Sequence, residues 1–128
     1  MDVSSRRFND VVVARPAGRV DHAGADALQL GLAPITTGGT ESALVLDFAQ
    51  VDYISSVGLR VLMMASKQVR ARQARIAVVA LHPVAREIFE SARFQHVVEV
   101  FASVREALAA LSPAALAAFD AGTGSDAP

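Results

Sequence analysis

The stretch Ala43-Leu44-Val45-Leu46-Asp47-Phe48, followed by Val51-Asp52-Tyr53-Ile54-Ser55-Ser56-Val57-Gly58-Leu59-Arg60, decides the fold. Its first part is an unbroken apolar run, the pattern of a strand covered on both faces in a parallel sheet. Its second part carries two hydroxyls and then opens a long apolar segment that closes on Lys67, Arg70 and Arg72. The spacing predicts a buried strand over about Ser42–Phe48, a sharp turn holding Ser55 and Ser56, and a helix from Val57 to about Arg72. A helix start leaves backbone N–H groups unpaired and lies at the positive end of the helix dipole. Ser56 is read as the N-cap, its oxygen accepting an N–H from the first turn. The same geometry accommodates a phosphate on that oxygen.

Composition bounds what surrounds this stretch. The chain has 128 residues, the size of one domain, and is 52% hydrophobic with 5% aromatic residues and no Trp. Its core must therefore be built from Val, Leu, Ile and Ala. A formal charge of −1 provides no basic stripe, which argues against a nucleic-acid surface. The absence of Cys excludes disulfide and thiol chemistry and fits a reducing cytoplasm. No run approaches the ~20 apolar residues of a membrane span, and Met1–Arg7 lacks the apolar core of a signal peptide. A cytoplasmic protein without direct membrane insertion is expected.

Working outward, Val3–Phe8 and Val11–Val20 read as two antiparallel strands joined by an Asn9-Asp10 turn. Pro16-Ala17-Gly18 suggests an irregular or edge portion of the second. Asp21 or His22 sits near the cap of a modest helix over Ala23–Leu30, and Pro34–Glu41 reads as a loop. Beyond the central helix, Arg75–Leu81 is another buried strand, and Pro83 suits the first turn of the next helix. Val97–Phe101 is a short strand. Ser103 and Glu106 form a capping box for a helix over Val104–Leu111. A short helix over Ala114–Phe119 and a frayed tail over Asp120–Pro128 close the chain. Strands separated by helices imply parallel neighbours with right-handed crossovers. The fold class is α/β: a mixed sheet, mostly parallel, its first two strands antiparallel.

Along the central helix, Gly58, Leu62, Ala65 and Val69, flanked by Val61, form the core face. Arg60, Lys67 and Arg70 point away. Leu59, Met63 and Met64 fall outside the core arc, so the first turns are either buried on several sides or present an apolar patch to a partner. A hydrolase using Ser55 or Ser56 is the weaker reading. Ile54-Ser55-Ser56-Val57-Gly58 lacks the first glycine of a nucleophile elbow, and His22, His82 and His96 have no triad context. Three scattered histidines give no metal-ligand spacing. Asp47 and Asp52 read as turn residues, Glu87 and Glu90 as solvated helix carboxylates, and Gly38-Gly39 lacks the residues of a phosphate loop.

Val51-Asp52-Tyr53-Ile54-Ser55-Ser56-Val57-Gly58-Leu59-Arg60 resembles the signature of STAS domains, specifically the bacterial anti-sigma factor antagonists. Gly18-Arg19-Val20-Asp21, Leu44–Phe48, Val84–Glu90 with Phe94, and Val100-Phe101 through Ala107-Leu108 resemble further family landmarks, in order. The resemblance covers about residues 3–111, expected as the STAS domain, with 112–128 as a helical extension and tail. It implies no catalytic chemistry in the domain itself, and neither a cofactor nor a metal is expected. It implies a partner-switching role: binding to an anti-sigma factor, a GHKL-type serine kinase, frees a sigma factor. Phosphorylation at the helix start ends the binding, and a PP2C-type phosphatase resets it. Aligning Gly58 places the acceptor at Ser56. The family often has Asp where this chain has Ser55, which makes Ser55 the second candidate. Asp21, Ser55, Ser56, Leu59, Arg60, Met63 and Met64 are the implied partner-binding residues. The alternative is a STAS scaffold that is not phosphorylated, within a signalling or lipid-transport complex. Homodimer formation, through the Ala-rich segment Ala114–Phe119, is a further expectation.

Overall fold

The computed structural model describes residues 1–126. In chain order the elements are β1 (Asp2–Phe8), β2 (Val11–Val20), α1 (His22–Gly38), β3 (Ala43–Asp47), β4 (Gln50–Ile54), α2 (Ser56–Ala71), β5 (Arg75–Val79), α3 (Pro83–Ser91), β6 (Glu99–Phe101), α4 (Val104–Leu111), α5 (Pro113–Asp120) and β7 (Ser125–Asp126). The sheet order is β6-β5-β3-β2-β1-β7, and β4 also pairs with β2. β1 is antiparallel to both β2 and β7, and the other pairs are parallel.

The continuous apolar strands are explained by burial on both faces. Val12, Ala14, Leu44, Leu46, Ile76 and Val78 face one core, closed by α1, α2 and α3. The alternate residues Val11, Val13, Ala43, Val45, Ala77 and Val79 face a second core, closed by α4 and α5. The side-chain period of two assigns each residue to one core or the other, so a register slip would exchange the two sets.

Four features depart from the sequence reading. First, α1 continues through Pro34 to Gly38 rather than stopping at a loop. Pro34 lies on the exposed side, while Leu28, Leu32 and Ile35, one or two turns apart, are buried. Thr36 and Thr37 donate their hydroxyls to the carbonyls of Leu32 and Ala33, and the Arg72 guanidinium donates to the Thr36 carbonyl at 3.0 Å. Packing of the apolar face thus outweighs one proline.

Second, the segment after Phe48 is a strand, not only a turn. β2 pairs with β3 through Val11–Ala14 and then with β4 through Ala17–Val20. Arg15 and Pro16 fall between these two ladders, so the proline lies in an interior strand at the place where its neighbour changes. Buried Asp47 holds the break: its carboxylate accepts from the Ala49 N–H at 3.0 Å and from Arg15 at 3.2 Å.

Third, part of the expected frayed tail is ordered as β7, paired with Arg6 and Arg7 of β1; residues 127–128 lie outside the described residues. Fourth, the last parallel strand begins at Glu99, because Phe94–His96 form a 3-10 turn that leads into it. The Ala-rich helix α5 folds back on its own sheet, with Ala115 buried and the Phe119 ring edge-on to Phe8 at 5.3 Å.

Two polar clusters tie the layers. Glu41, its side chain 1% exposed, pairs with Arg72 and, at 3.7 Å, with Arg7. Removing Arg72 strands a buried carboxylate. Arg72→Met should lower unfolding free energy by about 2–3 kcal/mol, read by denaturant titration. Asp10 accepts from the Ser112 hydroxyl at 2.6 Å and the Ser42 hydroxyl at 2.5 Å, joining the first turn to α5 and β3. Burial pushes the Asp10 carboxyl up, but these hydroxyls outweigh it and hold the group below its ordinary value. A depressed folded value stabilises above the unfolded pKa of about 3.9 and is lost as pH falls through the folded value. The stability gap between the native chain and Asp10→Asn should therefore be full near neutrality and shrink below about pH 4, measured by unfolding across pH.

Candidate functional site

β2 and β4 are parallel and finish in register, Val20 opposite Ile54. The Ser55 N–H extends the ladder by one more bond, 2.8 Å to the Val20 carbonyl. Each strand then hands the chain directly to a helix. The starts of α1 and α2 consequently lie side by side at one end of the sheet.

The two starts share a local design. The Asp21 carboxylate caps α1 by accepting the Gly24 N–H at 2.9 Å, and the Ser55 hydroxyl caps α2 by accepting the Gly58 N–H at 3.2 Å. In both, a glycine stands three residues after the cap. A Cβ on Gly24 would lie 2.1 Å from the Arg19 carbonyl oxygen, and one on Gly58 would lie 2.6 Å from Val20 and 2.8 Å from Ile54 side chains. The glycines let each helix rest on the strand ends beneath it.

The cap of α2 is therefore Ser55, not Ser56 as the sequence suggests. Ser55 has extended backbone, φ −86° and ψ 171°, because it still belongs to the β4 ladder, and its carbonyl already accepts the Leu59 N–H at 2.9 Å. The missed signal is the shared offset, Asp21-x-x-Gly24 and Ser55-x-x-Gly58. Ser55 is half-buried and its hydroxyl is engaged. Ser56 is the first helical residue and is exposed; among the described residues its hydroxyl makes no hydrogen bond. The first turn of α2 contains no acidic residue and its cap is neutral, so the positive end of its dipole is uncompensated. At α1 the Asp21 carboxylate supplies that compensation. An anion is favoured where Ser56 projects.

The rest of α2 follows the expected faces. Gly58, Val61, Leu62, Ala65 and Val69 are buried, and so is Ser66, whose hydroxyl donates to the Val97 carbonyl at 3.2 Å. Leu59 and Met63 are half-buried, while Met64 is 46% exposed. Successive side chains are 100° apart, which lines up Ser56, Arg60, Met63 and Lys67 on the outer face. Arg60 and Lys67 are exposed, and neither forms an ion pair among the described residues. Arg70 instead donates to the Val97 carbonyl. Beside Ser56 and Leu59 lies an open groove whose far wall is α3, with Glu87, Ile88, Ser91 and Ala92. In the sequence these α3 residues carry no site signal: Glu87 reads as a solvated helix carboxylate, and Val84–Glu90 only as a family landmark.

No hydrogen bond links either serine to His22, His82 or His96 among the described residues, and a ring nitrogen of His82 is 2.5 Å from the Ala49 carbonyl oxygen. Among the described residues there is no cluster of three metal-ligating side chains, and no helix is long and apolar enough to cross a membrane.

The family model of the STAS domain matches residues 2–107. A relative named "Putative anti-sigma factor antagonist BtrV", from Bordetella bronchiseptica, is 37% identical over 116 residues, covering 91% of this chain and 98% of that protein. Among solved structures, an anti-sigma factor antagonist from Mycobacterium paratuberculosis shares the fold with a TM-score of 0.78 at 23% identity, covering 86% of this chain and 92% of that one. SpoIIAA shares it at 17% identity in the unphosphorylated form, with a TM-score of 0.71 and coverage of 84% and 93%. In its phosphorylated form the TM-score is 0.65 at 16% identity, with coverage of 85% and 98%. The identities to these structures speak for the fold; the family model and the BtrV match carry the assignment. The chain belongs to the STAS domain family, among the anti-sigma factor antagonists.

Proposed function

We propose that this chain is a partner-switching antagonist: unphosphorylated, it binds an anti-sigma factor through the start and outer face of α2, and phosphorylation of Ser56 ends that binding. The observation that carries this reading is the division of labour between adjacent serines. Ser55 spends its hydroxyl on the helix cap, while Ser56 stands exposed beside it with a hydroxyl that makes no hydrogen bond among the described residues. A kinase reaches Ser56 without unfolding anything, whereas modifying Ser55 costs the α2 cap. BtrV is named an anti-sigma factor antagonist, and SpoIIAA exists in both phosphorylation states; both support the reading.

The physical basis of the switch is local. A phosphoserine carries about −1.5 to −2 charges and three acceptor oxygens. At a helix N-terminus it is tolerated by the fold. At an interface formed by Leu59, Met63 and Met64 it must be desolvated against apolar surface. Arg60 and Asp21 flank this surface and complete the docking set. The partner is a GHKL-type serine kinase acting as anti-sigma factor, and a PP2C-type phosphatase restores the hydroxyl. Both place the protein in the cytoplasm, where ATP is available. The domain acts as a binding module, not an enzyme.

Incubation with ATP and candidate GHKL-type kinases, followed by peptide mass spectrometry, should locate phosphate on Ser56 and none on Ser55. A stoichiometric phosphate on Ser55 moves the acceptor to the second candidate, and none on either serine with the kinase that binds the chain favours the scaffold that is not phosphorylated. Ser56→Asp should abolish binding to that kinase while leaving thermal unfolding close to that of Ser56→Ala. Ser55→Ala should cost about 1 kcal/mol of stability through loss of the cap, seen by denaturant titration, with Ser56 still phosphorylated.

A further inference from the structure

We propose that the outer edge of β1, with the flank of α1 above it, is an interface for a second copy of this chain, and that β7 is a strap that competes for it. β1 is the long outer strand of the sheet: it has seven residues, while β6 at the opposite edge has three. Among the described residues β7 pairs with β1 at Arg6 and Arg7, and no strand pairs with the outer edge from Asp2 to Ser5. A bare edge is a template for another strand.

The sequence of β1 is complementary to itself. Ser4 opposes Arg15, so Asp2, Ser4 and Arg6 lie on the sheet face turned toward α4 and α5. An antiparallel pairing of two β1 strands about Ser4 sets Asp2 of each copy opposite Arg6 of the other, on the same face. Two opposite charges then meet twice across one two-fold axis, the arrangement that a closed dimer requires. Val3 meets Ser5 on the other face.

The helix above this edge supports the same partner. Gly31 lies so close to β1 that a Cβ there would be 2.8 Å from the Val3 Cβ, which places α1 directly over the strand. Gln29 and Ala33 face α2. On the flank turned away from α2, Ala23, Ala27, Leu30 and Pro34 recur at i, i+4, i+7 and i+11, an apolar stripe. Leu30 is 76% exposed. Across the two-fold axis this stripe meets its own copy above the joined sheets, so edge and stripe become one continuous surface.

The strap claims part of the same edge. It pairs with Arg6, whose guanidinium donates to the Gly124 carbonyl at 2.7 Å and lies over the Phe8 ring. A two-residue strand held by so few bonds belongs to the least stable end of the fold. Dimer and strap cannot both have Arg6, so lifting the strap admits the second copy.

The chain has no cysteine, so a single introduced thiol reports the register. Directly opposed strand residues have Cα atoms about 4.5–5.5 Å apart, within disulfide range. Ser4→Cys sits on the two-fold axis and should crosslink two full-length chains under mild oxidation. Asp2→Cys should not, since the two copies of that position lie about 13 Å apart in this register. Gly124→Ala forces a Cβ to 2.3 Å from the Phe8 ring and unseats the strap. Added to Ser4→Cys, it should raise the crosslinked fraction several-fold and shift the mass by light scattering from monomer toward dimer; Leu30→Asp should reverse both. If circular dichroism shows Gly124→Ala to be misfolded, Ser125→Pro replaces it. A folded strap variant that stays monomeric, or crosslinks equally at positions 2 and 4, overturns the interface. Equal crosslinking at position 4 with and without the strap substitution overturns the gate.

Discussion

The constraint on which the functional end of this molecule depends is the register that sets Val20 opposite Ile54. Two parallel strands that stop at the same level deliver two helices to the same level. Everything noted at that end follows: adjacent caps, adjacent dipoles, and a hydroxyl at the surface rather than in the core. Two irregularities set that register. At Phe48-Ala49 β2 exchanges one neighbour for another, and Asp47, Arg15 and the missing N–H of Pro16 accommodate the exchange. Between Gly18 and Arg19 the pairing with β4 shifts by one residue, so that Val20 meets Ile54 rather than Tyr53. Two glycines complete the arrangement by letting each helix lie on the strand ends.

Around this end the molecule is conservative. One sheet separates two apolar cores, and every interior strand divides its residues between them by alternation. The polar groups drawn into the interior are few, and most join layers: Glu41 with Arg72 and Arg7, Ser66 with Val97, Ser112 with Asp10. Apart from Ser66, which lies within α2, they sit at or beside the ends of elements, where backbone groups already need partners.

Much of this was legible in the sequence. The unbroken runs at Leu44–Phe48 and Arg75–Val79 encode two-sided burial, and the spacing of Gly58, Leu62, Ala65 and Val69 encodes the packed face of α2. Pro83 and Ser103 mark helix starts correctly. The illegible parts each have a physical cause. Pro34 signals a stop, but Leu32 and Ile35 are anchored in the core, and burial exceeds local propensity. Ser55 and Ser56 are equally good caps by residue type; only the ladder bond from Ser55 to Val20, made with a strand more than thirty residues earlier, decides between them. β4 hides because its exposed Asp52 and half-buried Tyr53 dilute the apolar pattern. β7 depends on a tertiary pairing that two polar residues cannot announce.

The unlike caps of α1 and α2 carry a consequence for how this end is recognised. Asp21 gives α1 a fixed negative charge at its start, written in the gene. Ser55 leaves α2 with the same geometry and no charge. Two helix starts of one shape thus stand on the same side of the sheet with unlike potential, and a group docking at that end tells them apart by charge rather than by form.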